Sequence, residues 1–213
     1  MTAIACDLAA SGAVSRLVED IRQKGLHVDW LINNAGYGVP GAFEIVAWPV
    51  HAAFFRVLME APTELAWRLI PAMRERGYGR IINVASLAGH APGTAGHSLY
   101  AASKAFMIKF SQSLALENRE AGVHVCALCP GFTQSEFHDV TGTRALMDKL
   151  PAFLWQTAEA VAAEGIAAVE KGESVHVTGG LNRAIKTLVK LLPDRLGMFL
   201  AARQSRRYRN TAR

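Results

Sequence analysis

Apolar residues fall along this chain in two alternating rhythms. Short runs that are apolar on both faces read as strands: Thr2–Leu8 (TAIACDL), Val28–Asn33, Arg80–Ala85, Val123–Leu128 and Ser174–Thr178. Longer stretches with helical spacing lie between them. The first runs from a capping Ser11 to about Lys24, where Gly25 stops it. The second, Val50 to Arg76, carries Phe54, Phe55, Leu58, Leu65, Trp67 and Leu69, and Pro62 and Pro71 are expected to kink or segment it. Ser98 to Ala121 and Ala158–Glu170 complete the set, while Phe132–Trp155 is apolar without a period and reads as irregular. Strand and helix alternate throughout. The expected fold is therefore α/β: one domain over residues 1–182 with a parallel sheet between helices, then a basic amphipathic segment over 183–213.

Composition narrows the class. With 213 residues, 51% hydrophobic and 19% charged, the chain can bury one substantial core. No apolar run approaches the roughly 18–20 residues of a spanning helix, and MTAIACDLAAS lacks a signal-peptide pattern. Three cysteines argue for a reducing compartment, hence a cytoplasmic protein. Cys126 and Cys129, on one strand, point to opposite faces, which argues against redox or zinc chemistry. The net charge of +5 is the balance of +8 over 183–213 and −3 over the rest. That tail pairs an apolar side (Leu188, Leu191, Leu192, Leu196, Phe199, Leu200) with its Lys and Arg. Two readings follow: peripheral contact with an anionic membrane, or packing over the domain's own substrate loop. No nucleic-acid partner is expected.

The chemistry concentrates between Ser86 and Lys104. In YAASK, Tyr100 and Lys104 stand four apart and share a helix face. An ammonium beside a phenol favours the phenolate, which makes Tyr100 a candidate general acid or base. Ser86 follows the apolar run IINVA and so ends a strand, with a loop folding back toward Tyr100. A tyrosine and lysine at this spacing can equally snorkel on a surface.

LINNAG (Leu31–Gly36), YAASK (Tyr100–Lys104) and CPGFTQS (Cys129–Ser135), in this order and spacing, resemble the classical short-chain dehydrogenases/reductases from about residue 3 to about residue 180. The resemblance implies a Rossmann-like doubly wound parallel sheet, NAD or NADP as cofactor, and a small-molecule carbonyl or secondary-alcohol substrate. It assigns Tyr100 the proton transfer, has Lys104 lower the phenol's pKa and bind the nicotinamide ribose, and has Ser86 hold the substrate oxygen. Asp7 and Leu8, ending what resembles the family's third strand, fall near the adenine. Asn34, Ala35 and Gly36 line the cofactor, or form a plain tight turn. Pro130 and Gly131 match the family's PG, and Thr133 and Ser135 stand at the carboxamide, or simply cap their loop. A homodimer or homotetramer through the two long helices is implied, with Phe54, Phe55 and Trp67 at the interface.

Several departures qualify this likeness. The family's opening TGxxxGxG, which cradles the pyrophosphate at a helix N-terminus, has no counterpart, so the pattern lacks its first two strand–helix units. A shortened gene model is the expected reason. In the usual strand order a gap of about 14 Å would then separate Thr2–Leu8 from the next strand, and weak NAD(H) or NADP(H) binding is expected. Leu58 stands where the family has an Asn that holds a water beside the Lys, and leucine cannot do so. Ser86 to Tyr100 is one residue longer than the common spacing. His90 and His97 flank the active-site loop, and Glu60 reads as a solvated helix face. The alternative function is that of a cofactor-poor remnant serving as a binding or subunit-interaction module.

Overall fold

Each strand of the central sheet is fed by a helix that returns the chain to the same edge, so all its strands run parallel. The computed structural model describes residues 2–137 and 150–209, the side chains of 204–209 excepted; the expectation for 138–149 lies outside them. The sheet has the order β1 (Trp30–Asn33), β2 (Gly79–Val84), β3 (Val123–Cys129) and β6 (Val175–Val177). Its register aligns Asn33 with Asn83 and Asn83 with Ala127, which brings the carboxyl ends of β1, β2 and β3 level.

Side-chain alternation along β2 and β3 divides the core into two layers. Leu31, Ile81, Val123 and Val125 pack beneath α1 (Ala13–Gln23), α3 (Ala61–Glu75) and the middle of α4 (Ser98–Asn118), with Val14, Leu65 and Met73. Ile82, Cys126 and Leu128 face the other way, against Val161, Ala168 and Val169 of α5 (Ala158–Glu170). Thr157 caps α5 by accepting the Ala160 N–H at 3.2 Å. Cys126 and Cys129 do lie in different layers, Cys129 packing with Ala85, Met107 and Val177. Both thiols are pushed up to about 12, mainly by burial, so neither is a nucleophile at neutral pH. This is a single-domain Rossmann-like α/β fold with helices on both faces of a parallel sheet.

Four details depart from expectation. Thr2–Leu8 forms no strand: without a neighbouring ladder its backbone has nothing to pair with. The Asp7 carboxylate instead accepts the Ala9 N–H at 2.9 Å, turning the chain, and Leu8 packs under the first core layer. The anticipated gap beside a first strand therefore does not arise. Helix α1 starts at Gly12, whose φ of 68° only glycine adopts cheaply, and Ser11 contributes just its carbonyl, to Arg16. Phe132–Trp155 is not wholly irregular, since β4 (Phe132–Gln134) pairs in parallel with β5 (Trp155–Thr157). Phe54, expected at a subunit interface, is fully buried and meets Tyr37 edge-to-face at 5.7 Å, whereas Trp67 is 69% exposed.

The long helix is continuous from α2 (Trp48–Phe55) into α3, through one π-helical turn, Arg56–Glu60. In that turn the Ala61 N–H reaches back five residues to the Arg56 carbonyl. Pro62 brings no N–H, so the Val57 carbonyl has a helical donor at neither i+4 nor i+5. Pro71 is accommodated inside α3.

Candidate active site

The motif residues converge where α/β sheets carry their sites, at the carboxyl ends of the strands. Ser86 follows β2, extended at φ −168°, and its Oγ accepts the Ala88 N–H at 3.1 Å, starting the 3₁₀ turn Leu87–His90. That turn lies against α4 because residue 89 is glycine; a Cβ there would stand 2.8 Å from Ile108 Cδ1 and from the Lys104 backbone. The α4 N-terminus is thereby held over Ser86, which brings the Tyr100 phenol within the influence of the Ser86 hydroxyl. Lys104, one turn on, is 7% exposed and donates from Nζ to the Val84 carbonyl at 2.7 Å. Its Nζ sits 5.7 Å from the Tyr100 ring centre.

Electrostatics here run against the simplest expectation. Burial pushes the Tyr100 phenol above its ordinary value, and the neighbouring Ser86 hydroxyl only partly opposes it. Burial also brings the Lys104 ammonium down to about 8, with Cys129 pulling weakly the other way. Desolvation of both groups outweighs their mutual influence, so Tyr100 is held as a phenol.

Asn34, Ala35 and Gly36 leave β1 directly alongside. A Cβ on Gly36 would stand 3.7 Å from Lys104 Nζ and 3.8 Å from Leu58 Cγ, so this backbone passes close over the lysine. A cavity of about 20 Å³ lies behind, lined among others by Leu8, Ala35, Val57, Leu58, Pro62 and Lys104. Asp7 adjoins this region, since its charge acts on Tyr37, whose phenol is raised chiefly by burial and secondarily by Asp7. Pro130 joins the loop through its carbonyl, which accepts the Leu87 N–H at 2.8 Å. Thr133 donates to the Gly131 carbonyl at 3.3 Å and the Ser135 hydroxyl accepts the Phe137 N–H at 3.4 Å, both local contacts. His90 and His97 are half-buried, and burial lowers the pKa of each. Glu60 is exposed.

Sequence reasoning missed the clamp that fixes the Pro130–Gly131 turn. Gln156 Oε1 accepts from Thr178 Oγ1 at 2.6 Å and from Asn182 Nδ2 at 3.1 Å, and Asn182 also donates to the Thr178 carbonyl at 2.8 Å. Gly131 lies so close that a Cβ would stand 2.5 Å from Asn182 Nδ2. Glu164 extends the clamp, taking the Gly179 N–H at 3.1 Å and His176 Nε2 at 3.0 Å. The one local signal was Gly131 itself; Gln156 and Asn182 are 26 residues apart and meet only in the fold.

The model of the family described as short chain dehydrogenase matches residues 1–144. The chain is 34% identical over 190 residues to the ketoacyl reductase HetN of Nostoc sp., covering 89% of this chain and 64% of that protein. It is 31% identical over 183 residues to the 3-oxoacyl-[acyl-carrier-protein] reductase FabG of Escherichia coli, covering 79% and 72%. Against the first relatives it spans just under two thirds of their length, 64% for HetN and 66% for two nodulation G proteins of Rhizobium. Among solved structures, a short-chain dehydrogenase from Sphingobium yanoikuyae in complex with NADPH superposes with a TM-score of 0.72 at 26% identity, over 88% of this chain and 74% of that one. One from Streptomyces avermitilis gives 0.71 at 29%, over 86% and 73%. With the family match covering β1 to β4, the NAG turn and the Ser–Tyr–Lys cluster alike, this chain belongs to the short-chain dehydrogenases.

Proposed function

We propose that this protein is an NAD(P)-dependent oxidoreductase interconverting a carbonyl group and a secondary alcohol, with Tyr100 as its general acid and base. The carrying observation is the convergence at the strand ends of Ser86, Tyr100 and the buried Lys104, whose Nζ lies 5.7 Å from the Tyr100 ring centre. The NADPH bound by the Sphingobium relative and the carbonyl substrates named for HetN and FabG support the same chemical class.

The residues present fit the nicotinamide–ribose end of such a cofactor. Gly36 leaves the room over Lys104 that a side chain would fill. Lys104 Nζ spends one of its three hydrogens on Val84 and keeps others for ribose hydroxyls. Asn34, Ala35, Pro130, Gly131, Thr133 and Ser135 edge the nicotinamide side, and Asp7 and Leu8 the adenine side. When bound, the cofactor supplies the hydride chemistry.

The chain's own part is proton handling and charge. A substrate oxygen held by Ser86 Oγ gains negative charge as reduction proceeds, and a donor aimed at that oxygen stabilises the transition state more than the ground state. Tyr100 Oη delivers its proton there; burial, by keeping the phenol protonated, readies it for this direction. The Lys104 ammonium then stabilises the phenolate left behind. In the reverse direction the same phenolate takes the alcohol proton.

Turnover of ketone substrates with NADH or NADPH, followed by nicotinamide absorbance, tests the reading. Tyr100→Phe should lose about 10²–10⁴-fold in rate while retaining cofactor affinity. Turnover near the parent level overturns the assignment.

A further inference from the structure

Two C-terminal helices carry a surface that the oxidoreductase chemistry does not use. In α6 (Gly180–Leu191), Asn182, Ile185, Lys186 and Val189 turn inward and are buried or half-buried, and the helix lies against the Leu87–His90 turn. Its other side presents Leu181, Ala184, Leu188 and Leu191, spaced i, i+3, i+7 and i+10, all exposed. Leu188 is 62% and Leu191 76% exposed. A soluble helix of this periodicity normally turns such a stripe inward; here it faces out.

The next helix repeats the pattern. In α7 (Asp194–Arg209) the small residues face the domain: a Cβ on Gly197 would stand 3.2 Å from Pro92, and Ala201 is buried. Leu196, Met198, Phe199 and Leu200 are left exposed, Phe199 at 64%. Cations interleave with these residues. Lys190, Arg195 and Arg203 are exposed, and the whole of 183–213 holds nine Lys and Arg against the single Asp194.

Charge decides what covers this surface. A second copy would set one +8 segment against another. A bilayer with anionic headgroups complements it in both respects, taking apolar side chains into the acyl boundary and cations at headgroup level. No described helix is long and apolar enough to cross a membrane, so the contact is superficial. We propose that α6 and α7 together dock this protein on an anionic membrane surface, next to the Leu87–Pro92 rim of the active site.

Co-sedimentation of the full chain with phosphatidylcholine vesicles, with and without phosphatidylglycerol, tests this directly. The expected result is retention on the anionic vesicles only, weakening as salt is raised. Lys190→Gln and Arg195→Gln should each weaken it about fivefold, and the double variant Leu188→Ser, Leu191→Ser at least tenfold. All four positions are exposed, so circular dichroism should show the parent fold. Equal retention on both vesicle types, retention on neither, or retention indifferent to these variants overturns the proposal. A dimer abolished by the leucine variants assigns the face to a second copy, and capture by soluble polyglutamate without vesicle binding assigns it to an acidic protein; either result also overturns it.

Discussion

Lys104 shows how burial, more than partnership, sets the chemistry of a single residue here. Its place beside Tyr100 was legible in the sequence, because a spacing of four on a helix is a local fact. The direction of the phenol's shift was not, because desolvation depends on β2, the NAG turn and the 3₁₀ turn closing over it. That burial has a consequence for stability. The folded lysine titrates at about 8 and the unfolded one near 10.5, so between these values the unfolded chain binds more protons. The contribution of Lys104 therefore rises as pH increases from about 8 and is lost as pH falls through 8, with a full span of ~3 kcal/mol. Cys126 and Cys129, raised from 9.0 to about 12, act oppositely: their contribution is complete below pH 9 and is lost above it. Between pH 8 and 9 the two cysteines already begin to oppose this gain in both proteins, so urea unfolding should show the parent gaining ~1 kcal/mol relative to Lys104→Met. Equal slopes in the two proteins would mean that the lysine is not buried in its charged form.

At the scale of elements, periodic segments were read within a few residues of their ends, and Ala158–Glu170 to the residue. What escaped was non-local. The three-residue strands β4 and β5 exist only because the Gln156 clamp and their mutual pairing bring them together, and Thr2–Leu8 looked like a strand but found no neighbour. The π turn also escaped. Pro62 suggested a kink, whereas the helix takes up one extra residue just before it and leaves the Val57 carbonyl without a helical donor. This happens beside the cavity of about 20 Å³ that adjoins Lys104, a volume suited to one water. Pro62→Ala restores an N–H and lets the turn revert to α-helix. It should raise the melting temperature and lower turnover about tenfold, as Val57 and Leu58 shift relative to Lys104. Leu58→Asn puts an amide into the same cavity. It should fold at a cost of about 1–3 kcal/mol and raise turnover by holding a water at the lysine. A fall in its kcat would mean that the site moves its proton without that position.

For the whole molecule, the alternation of strand and helix was sufficient to read the α/β class, but not which faces stay uncovered. Among the described residues several apolar side chains stay uncovered, and charge distinguishes two of the faces they form. The tail face is strongly basic, whereas 1–182 carries a net charge of −3 and exposes Trp67 on α3, 69% exposed, and Leu116 on α4, 81% exposed. The same helices turn Leu65, Ala66, Met107 and Ile108 into the core, so the outward positions are spare apolar surface on two helices of one layer. An isologous dimer pairs identical patches across a two-fold axis, so a patch of low charge self-associates where a +8 patch repels its copy. Self-association is therefore expected through α3 and α4, with Trp67 and Leu116 at its centre and the tail left free. Sedimentation at micromolar concentration should give a dimer or tetramer. Trp67→Glu with Leu116→Glu should reduce it to monomer, since four carboxylates would then meet at the axis. The Leu188→Ser, Leu191→Ser variant should sediment as the parent does. A monomeric parent, or an assembly indifferent to Trp67 and Leu116, would place the subunit contact elsewhere on the molecule.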